Sequence, residues 1–271
     1  MMTIAIILVA VLAVYLFLIA PCAKRPDDGL LQGWLYAHRG LHDGNHKVIE
    51  NSMEAFCLAV EKGYGMELDV QLTKDGQLVV HHDGSLKRVC GVEKNIRELD
   101  YDDLPLLPDG TKIPLFSEVL SMVDGRAPII VEVKHYGGAA KNAAAAISVL
   151  ESYTGPYCVE SFDPTAMYYF RRHAPHILRG QLADGGKRNA AHVNLVSYLA
   201  LRTLLVNVLS RPHFVAYSFP SERTLSMQLM KHLFKPRLAC WTIREQSVLD
   251  QAKKAGYDYP IFELFEPKTK W

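Results

Sequence analysis

The 271-residue sequence predicts an α/β fold, a (β/α)8 barrel of the TIM type, preceded by one transmembrane helix. Past residue 33, short runs rich in Val, Ile and Tyr alternate with longer stretches of helical spacing, and eight such runs are present. At the other end of the chain, no charged residue occurs between Thr3 and Ala23. We therefore assign residues 1–25 to a membrane anchor and residues 33–271 to a barrel domain.

The N-terminal apolar run is close to the roughly 20 residues that a membrane span requires. It lacks the basic start of a cleaved signal peptide and exceeds the usual apolar core of about 7–15 residues, which favours an uncleaved single-pass anchor. Lys24 and Arg25 follow the run directly and no basic residue precedes it, so the positive-inside rule predicts a cytoplasmic barrel. Lipid attachment at Cys22 is the alternative, although Pro21 fits such a site poorly.

The predicted strands occupy residues 34–38, 66–71, 128–134, 157–161, 177–182, 214–218, 238–242 and 259–263. A ninth run, residues 78–82, follows a Thr-Lys-Asp-Gly turn and predicts a return strand hairpinned to the second strand. A Pro-rich excursion over residues 99–114 comes next. Asn51 with Glu54 three residues later forms a capping-box pattern and predicts the start of the first barrel helix.

Charge and cysteine content exclude two function classes. Thirty Lys and Arg against 29 Asp and Glu leave a net charge of +1, which is no electrostatic footprint for nucleic acid. The five cysteines are odd in number, widely spaced and without a Cys-x-x-Cys pair, so they indicate neither a zinc site nor a redox pair. We expect free thiols in a reducing compartment.

Carboxylates recur at the predicted ends of neighbouring strands, where active sites of such barrels lie. Glu67 and Asp69 are two residues apart, so both side chains point to the same face of the second strand. Glu132 adds a third carboxylate from the next strand, and burying all three is costly unless a cation neutralises them. Oxygen ligands suit Mg²⁺ or Ca²⁺. The alternative is a core ion pair between Glu132 and Lys134.

Two histidines and two cations complete the predicted site. His38 ends the first strand and His82 ends the return strand, and an ordinary histidine pKa near ~6.5 suits one as base and the other as acid. Arg39 and Lys134 supply positive charge for an anionic substrate. A phosphodiester gains negative charge during attack, so this set predicts phosphoryl-transfer chemistry.

In order and spacing, five motifs resemble the glycerophosphodiester phosphodiesterases, which belong to the phosphatidylinositol phospholipase C-like barrels. They are His-Arg-Gly at 38–40, Glu50-Asn51, Glu-Leu-Asp-Val-x-x-Thr-Lys-Asp-Gly at 67–76, Val-Val-His-His-Asp at 79–83 and Glu-Val-Lys at 132–134. The resemblance implies His38 and His82 as general acid and base and Glu67, Asp69 and Glu132 as ligands of a divalent cation. It also implies a role in substrate binding or its support for Arg39, Glu50 and Lys134.

Two stretches depart from that family pattern. The last strand usually ends in Thr-Asp, whereas this chain has Phe262-Glu263-Leu264. The segment 189–210 is longer and more apolar than an ordinary crossover helix. It predicts a buried barrel helix, an interfacial helix lying on the membrane, or a second span, which the central Arg202 disfavours.

Three functions compete. The first is metal-dependent hydrolysis of a glycerophosphodiester to glycerol 3-phosphate and an alcohol, by direct water attack or through a cyclic phosphate. The second is lysophospholipase D-like or phospholipase C-like cleavage of a membrane lipid headgroup, which an anchor and an apolar 189–210 segment favour. The third is a non-catalytic, membrane-tethered barrel that binds headgroups, which the intact histidines and carboxylates argue against.

Overall fold

The computed structural model describes residues 2–186, 194–220 and 223–271. The helices are α1 (Met2–Ile19), α2 (Met53–Glu61), α3 (Lys87–Cys90), α4 (Phe116–Val123), α5 (Ala139–Leu150), α6 (Pro164–His173), α7 (Leu195–Arg202), α8 (Asn207–Ser210), α9 (Leu225–Leu229) and α10 (Gln246–Lys254). The strands are β1 (Tyr36–His38), β2 (Gly65–Leu72), β3 (Leu78–Val80), β4 (Ile129–Val133), β5 (Tyr157–Ser161), β6 (Arg179–Ala183), β7 (Phe214–Ser218), β8 (Arg237–Ile243) and β9 (Tyr259–Phe262). A π-helical turn, Met230–Phe234, continues α9.

Eight parallel strands close into a barrel, because β1 pairs with β2 on one side and with β9 on the other. β3 is antiparallel to β2, which makes it the predicted return strand. The helices cover the outer face, where Phe56, Phe116 and Phe170 are fully buried between helix and sheet. Burial on both faces explains why the strands appear as near-continuous apolar runs in the sequence. The predicted eight-stranded barrel is confirmed.

The barrel interior has an apolar floor beneath its polar groups. Side chains alternate along each strand, so Tyr36 and Ile130 point inward one pleat below His38 and Glu132. Tyr36, Ile130 and Phe214 are fully buried in one interior cluster at the N-terminal ends of the strands. Since this layer fills the lower barrel, the polar groups above it face the open C-terminal end.

The start of α2 differs from the capping-box prediction. Its N-cap is Ser52, whose Oγ accepts a hydrogen bond from the backbone N–H of Ala55 at 3.2 Å. Asn51 has a φ of 55°, and its side-chain amide donates to Asp69 Oδ2 at 2.8 Å. The prediction of Asn51 as helix cap is therefore wrong, because this side chain bonds to Asp69 in the neighbouring strand β2 instead.

The segment 189–210 is not one helix. Residues 189–193 lie outside the described residues, α7 covers 8 residues and buries none of them, and α8 buries Asn207 and Ser210 after a turn. Eight residues are too few for a span, so the second-span prediction is wrong, and the buried-helix prediction does not hold for α7. Within the described ranges, α1 is the helix long and apolar enough to cross a membrane.

Candidate active site

Three predicted carboxylates meet in the barrel interior, and we call them the acidic trio: Glu67, Asp69 and Glu132. They are 2%, 0% and 8% exposed, and Asp69 lies opposite Glu132 in the pairing of β2 with β4. One oxygen of each residue lies within 4.8 Å of those of the other two. This separation suits ligands that share one ion.

The electrostatics of the acidic trio fit a divalent cation. Burial, and then the nearby Asp69 and Glu132, raise the pKa of Glu67 well above its usual value. Burial also disfavours the charged Asp69, but Lys134 and then other cations outweigh it and hold the pKa of Asp69 well below its usual value. One lysine and one arginine therefore do not fully compensate three buried carboxylates, and oxygen ligands of this kind suit a hard ion.

The predicted ion pair of Lys134 is also present. Its Nζ lies 2.7 Å from Glu132 Oε1 and 2.7 Å from Asp69 Oδ1. Burial disfavours the charged amine, but Asp69 and Glu132 outweigh it and raise the pKa of Lys134. The lysine therefore stays charged at the edge of the acidic trio, where it contacts two of the three carboxylates.

His38 is hydrogen-bonded to the carboxylate of Glu263, the residue that follows β9. Its Nδ1 lies 2.6 Å from Glu263 Oε1, and its Nε2 lies 3.9 Å from Glu67 Oε2. Burial lowers the pKa of His38, and the hydrogen bond that His38 donates to Glu263 partly offsets this. Arg244 contacts the other oxygen of Glu263 at 2.7 Å. A neutral His38 that donates through Nδ1 keeps the Nε2 lone pair free for a proton.

His82 has a similar arrangement with its neighbour Asp83. Its Nδ1 lies 2.7 Å from Asp83 Oδ1, while Arg88 Nε lies 2.6 Å from Asp83 Oδ2. Burial disfavours the charged Asp83, but His82 and Arg88 outweigh it and lower the pKa of Asp83. Each predicted catalytic histidine is thus oriented by a carboxylate that itself pairs with an arginine.

Glu50 forms ion pairs with two arginines and does not line the cleft. It is 6% exposed, and its carboxylate accepts hydrogen bonds from Arg39 at 2.8 Å and from Arg88 at 2.6 and 2.7 Å. Burial opposes ionisation, but these guanidiniums, together with Asn45, lower the pKa of Glu50 to about 2. The Nε of Arg39 then lies 3.6 Å from Asp69, so Glu50 holds Arg39 beside the acidic trio.

Two residues of the site were not predicted as members of it. Glu160 is 1% exposed, lies opposite Glu132 in the pairing of β4 with β5, and has an Oε2 without a hydrogen-bond partner among the described residues. An acid at an inward position of a buried strand was the available signal. Glu263 was noted only as a departure from the family pattern, and its partner His38 is 225 positions away.

These groups border a cleft of about 240 Å³ at the C-terminal end of the barrel. His38, His82 and Glu132 line its polar side, and Phe162 and Trp241 form an aromatic wall. The two rings meet edge to face with centroids 5.5 Å apart. The cleft therefore offers charged groups to an anionic centre and an apolar surface to the rest of a substrate.

Comparison with known proteins identifies relatives of this chain. The glycerophosphoryl diester phosphodiesterase family matches residues 38–262. A glycerophosphodiester phosphodiesterase of Caldanaerobacter subterraneus subsp. tengcongensis is 28% identical over 251 residues, covering 86% of this chain and 94% of that protein. A lysophospholipase D of Rattus norvegicus is 39% identical over 114 residues, covering 36% of this chain and 35% of that protein. The fold matches a phosphodiesterase of Oleispira antarctica in complex with the product sn-glycerol-3-phosphate, with a TM-score of 0.67 and 20% identity over 86% of this chain and 93% of that chain.

The matched residues include nearly all of the closed barrel. They begin at His38 in β1 and end at Phe262 in β9, so they contain the acidic trio and both histidines. The prediction of an enzyme, rather than a non-catalytic barrel, is confirmed by these relatives. The chain belongs to the glycerophosphodiester phosphodiesterase family of phosphoric diester hydrolases.

Proposed function

We propose that this chain hydrolyses glycerophosphodiesters to glycerol 3-phosphate and an alcohol, with His38 and His82 as the acid–base pair and Mg²⁺ or Ca²⁺ on the acidic trio. The observation that carries the proposal is the paired arrangement of the histidines. Each Nδ1 is occupied by a carboxylate, Glu263 or Asp83, at 2.6 or 2.7 Å, and both rings border the same cleft as Glu132. Such an orientation leaves both Nε2 atoms for proton transfer.

The reaction exchanges one P–O bond for another. One histidine takes the proton of the attacking oxygen, which is water or the glycerol 2-hydroxyl, and the other protonates the leaving alkoxide. Arg39 and Lys134 balance the charge that grows on the phosphoryl oxygens. A divalent cation on the acidic trio would add charge neutralisation at the same oxygens. Attack by the 2-hydroxyl gives a cyclic phosphate that water then opens, so both routes end in glycerol 3-phosphate.

A second candidate function is cleavage of a lysophospholipid headgroup in the manner of a lysophospholipase D or a phospholipase C. It is favoured by the aromatic wall of Phe162 and Trp241, by the apolar α1 and by the similarity to the rat lysophospholipase D. The same histidines and carboxylates would serve, since the scissile bond is again a phosphodiester.

We also propose that residues 1–25 form a single-pass anchor and that residues 33–271 form a cytoplasmic catalytic domain. Lys24 and Arg25 follow α1 on the barrel side, which supports this orientation. Asn207, fully buried, donates to the backbone oxygen of Ile19 at 2.8 Å, and Arg211 donates to Ala20 at 2.9 Å. The barrel thus supplies partners for the end of α1, which favours a retained helix over a cleaved one.

The deciding assay compares glycerophosphocholine with lysophosphatidylcholine, each with EDTA, Mg²⁺ or Ca²⁺, using the purified full chain and a His38→Ala variant. Release of glycerol 3-phosphate that depends on the cation and is lost in His38→Ala supports the first function. Turnover of lysophosphatidylcholine alone supports the second. Turnover that persists in EDTA or in His38→Ala contradicts the proposed mechanism.

A further inference from the structure

We infer that the open end of the barrel lies against the membrane, so that the cleft receives its substrate from the bilayer surface. The inference rests on the proposed anchor and deepens the proposed function by naming a lipid surface as the partner of this end. It is carried by the direction of α1, by the length of its free part and by an apolar rim around the barrel mouth.

The C-terminal end of α1 lies at the lower end of the barrel. The carbonyl of Ile19 accepts from Asn207, and the backbone N–H of Cys22 donates to the carbonyl of Pro212 at 2.8 Å. Asn207 begins α8, the last helix before β7, and Pro212 lies two residues before Phe214, the first residue of β7. The chain therefore leaves α1 near the N-terminal ends of the strands, opposite the cleft.

The same helix rises from there toward the catalytic end. One turn earlier in α1, the side chain of Tyr15 lies close to that of Ser226 in α9. Thr224, which caps α9, lies close to the side chain of Tyr217, the next-to-last residue of β7. Moving from Ile19 to Tyr15 thus moves from the start of β7 toward its end. The remaining residues of α1 project beyond the catalytic end of the barrel.

The free part of α1 is too short to cross a bilayer alone. Residues 2–14 are all exposed, and thirteen helical residues span about 20 Å at ~1.5 Å per residue. The hydrocarbon core is about 30 Å thick. A single span of α1 therefore requires the catalytic end of the barrel to sink into the interface by up to about 10 Å, which is the depth that interfacial helices reach.

An apolar rim is present where this immersion would occur. Leu195, Val196 and Leu199 in α7 are 55%, 78% and 46% exposed, and Leu225 at the start of α9 is 66% exposed. We call these four residues the apolar rim. They lie on the connections that leave the C-terminal ends of β6 and β7.

Contacts hold α7 at the barrel mouth. The hydroxyl of Tyr198 donates to the carbonyl of Gly186 at 2.9 Å, and the neighbouring Gly185 donates to Ser218, the last residue of β7, at 3.0 Å. Large apolar side chains that are exposed on two successive connections at the barrel mouth are typical of an interfacial contact. An interfacial helix at this place would lie at the barrel mouth and would bring the cleft next to the bilayer surface.

The test measures depth by fluorescence in vesicles of phosphatidylcholine and phosphatidylglycerol. The full chain, with Cys22, Cys57 and Cys90 replaced by Ala, receives one cysteine for an environment-sensitive dye, either Val196→Cys or Leu233→Cys. Leu233 is 56% exposed in the turn that leads into β8 at the lower end of the barrel, so it is a matched control. We expect a nitroxide-labelled lipid to quench the dye at position 196 at least about twofold and to leave position 233 nearly unchanged.

Every other pattern overturns the inference. Equal quenching at both positions, or none at position 196, means that the barrel mouth does not face the bilayer. A dye signal at position 196 that follows protein concentration and not lipid means that the apolar rim binds a second copy of the chain.

A matched activity test separates this inference from the proposed chemistry. In Val196→Asp with Leu199→Asp we expect turnover of lysophosphatidylcholine in vesicles to fall at least about tenfold, because two carboxylates oppose immersion, while turnover of soluble glycerophosphocholine is unchanged. Leu233→Asp should leave both unchanged. Equal loss on both substrates contradicts the inference. Absence of all turnover in the parent chain would contradict the proposed function, while the quenching would still decide the orientation.

Discussion

At the scale of single residues, the site depends on carboxylates that hold other side chains in place. Glu263 is 8% exposed, and burial disfavours its charged form. The hydrogen bond from His38 and the nearby His42, whose Nε2 lies 3.6 Å from Glu263 Oε1, outweigh this and lower the pKa of Glu263. A charged Glu263 fixes which nitrogen of His38 carries the proton and stabilises the imidazolium that forms after proton uptake.

We predict that Glu263→Gln lowers kcat by roughly 10- to 100-fold, because the amide neither stabilises the imidazolium nor fixes the tautomer as firmly. Since Glu263 raises the pKa of His38, its loss should shift the limb of the kcat/KM profile that reports His38 to lower pH. The measurement is a pH–rate profile of both proteins. Glu266→Gln, at an exposed ion pair with Lys62, is the control and should behave as wild type. An unshifted profile with wild-type kcat would remove Glu263 from the mechanism.

Glu160 permits a prediction about stability. Burial, and then Glu132 and Asp69, raise the pKa of Glu160 well above its usual value. A group whose folded pKa is raised binds protons more tightly in the folded state, so its contribution to stability is lost as pH rises above about 4.5. We predict that Glu160→Gln, measured in EDTA by urea unfolding, raises the free energy of unfolding by ~1–3 kcal/mol more at about pH 8 than at about pH 5.

The exposed Glu151→Gln provides the comparison for this measurement. It should change the free energy of unfolding by less than about 0.5 kcal/mol at either pH, as surface substitutions usually do. If Glu160→Gln has the same effect at both pH values, the Glu160 carboxyl does not titrate between them in the folded protein.

At the scale of elements, the junction before α2 separates a structural residue from a functional one. Ser52 caps the helix, whereas Asn51 bonds Asp69 in the acidic trio. We predict that Ser52→Ala lowers the free energy of unfolding by about 1 kcal/mol and leaves kcat unchanged. Asn51→Ala should instead raise the Ca²⁺ or Mg²⁺ concentration needed for half-maximal activity by roughly 10-fold, since it frees a ligand carboxylate to move.

Urea unfolding and cation titrations of activity on both variants check this pair. The prediction is contradicted when Ser52→Ala impairs cation dependence as much as Asn51→Ala does, because the whole junction would then act as one structural unit.

The elements were predictable where one local pattern determined them. The strands were predictable, because burial on both faces of a parallel barrel leaves short apolar runs in the sequence. The inward positions of Glu67, Asp69 and Glu132 were also predictable, since side chains alternate along a strand. The role of Asn51 was not predictable, because a capping sequence does not reveal that the backbone takes a φ of 55° and directs the side chain to Asp69. A contact with the neighbouring strand β2 overrode the local preference there.

At the scale of the whole molecule, long-range contacts decided what the sequence left open. The contact of Glu263 with His38 joins the end of the last strand to the end of the first, and that of Asn207 with Ile19 joins α1 to α8 across 188 positions. No pattern in the sequence around these residues indicates either contact. Barrel closure itself was predictable from eight alternating units. The contribution of Glu263, near the C-terminal end of the sequence, to the site was not predictable.

The charge balance of the acidic trio leads to a prediction for the stability of the whole chain. A cation that binds the folded site and not the unfolded chain adds about 2.7 kcal/mol at roughly 100 times its Kd. For a chain of this size we expect Ca²⁺ or Mg²⁺ to raise Tm by roughly 5–10 °C over the EDTA-treated protein. Differential scanning calorimetry of the full chain in detergent measures this shift without reference to any substrate.

The variant that distinguishes a cation site from a simple ion pair is Glu132→Gln. It removes one carboxylate of the acidic trio and one of the two contacts of Lys134, while Asp69 still holds the amine at 2.7 Å. We expect this variant to lose most of the cation-dependent rise in Tm, and Glu61→Gln, an exposed acid at the end of α2, to keep it. If wild type shows no rise with either ion, Lys134 and Arg39 are sufficient counter-ions for the acidic trio. The buried carboxylates would then act as an ion-pair network, and catalysis would depend on the two histidines and the cationic side chains alone.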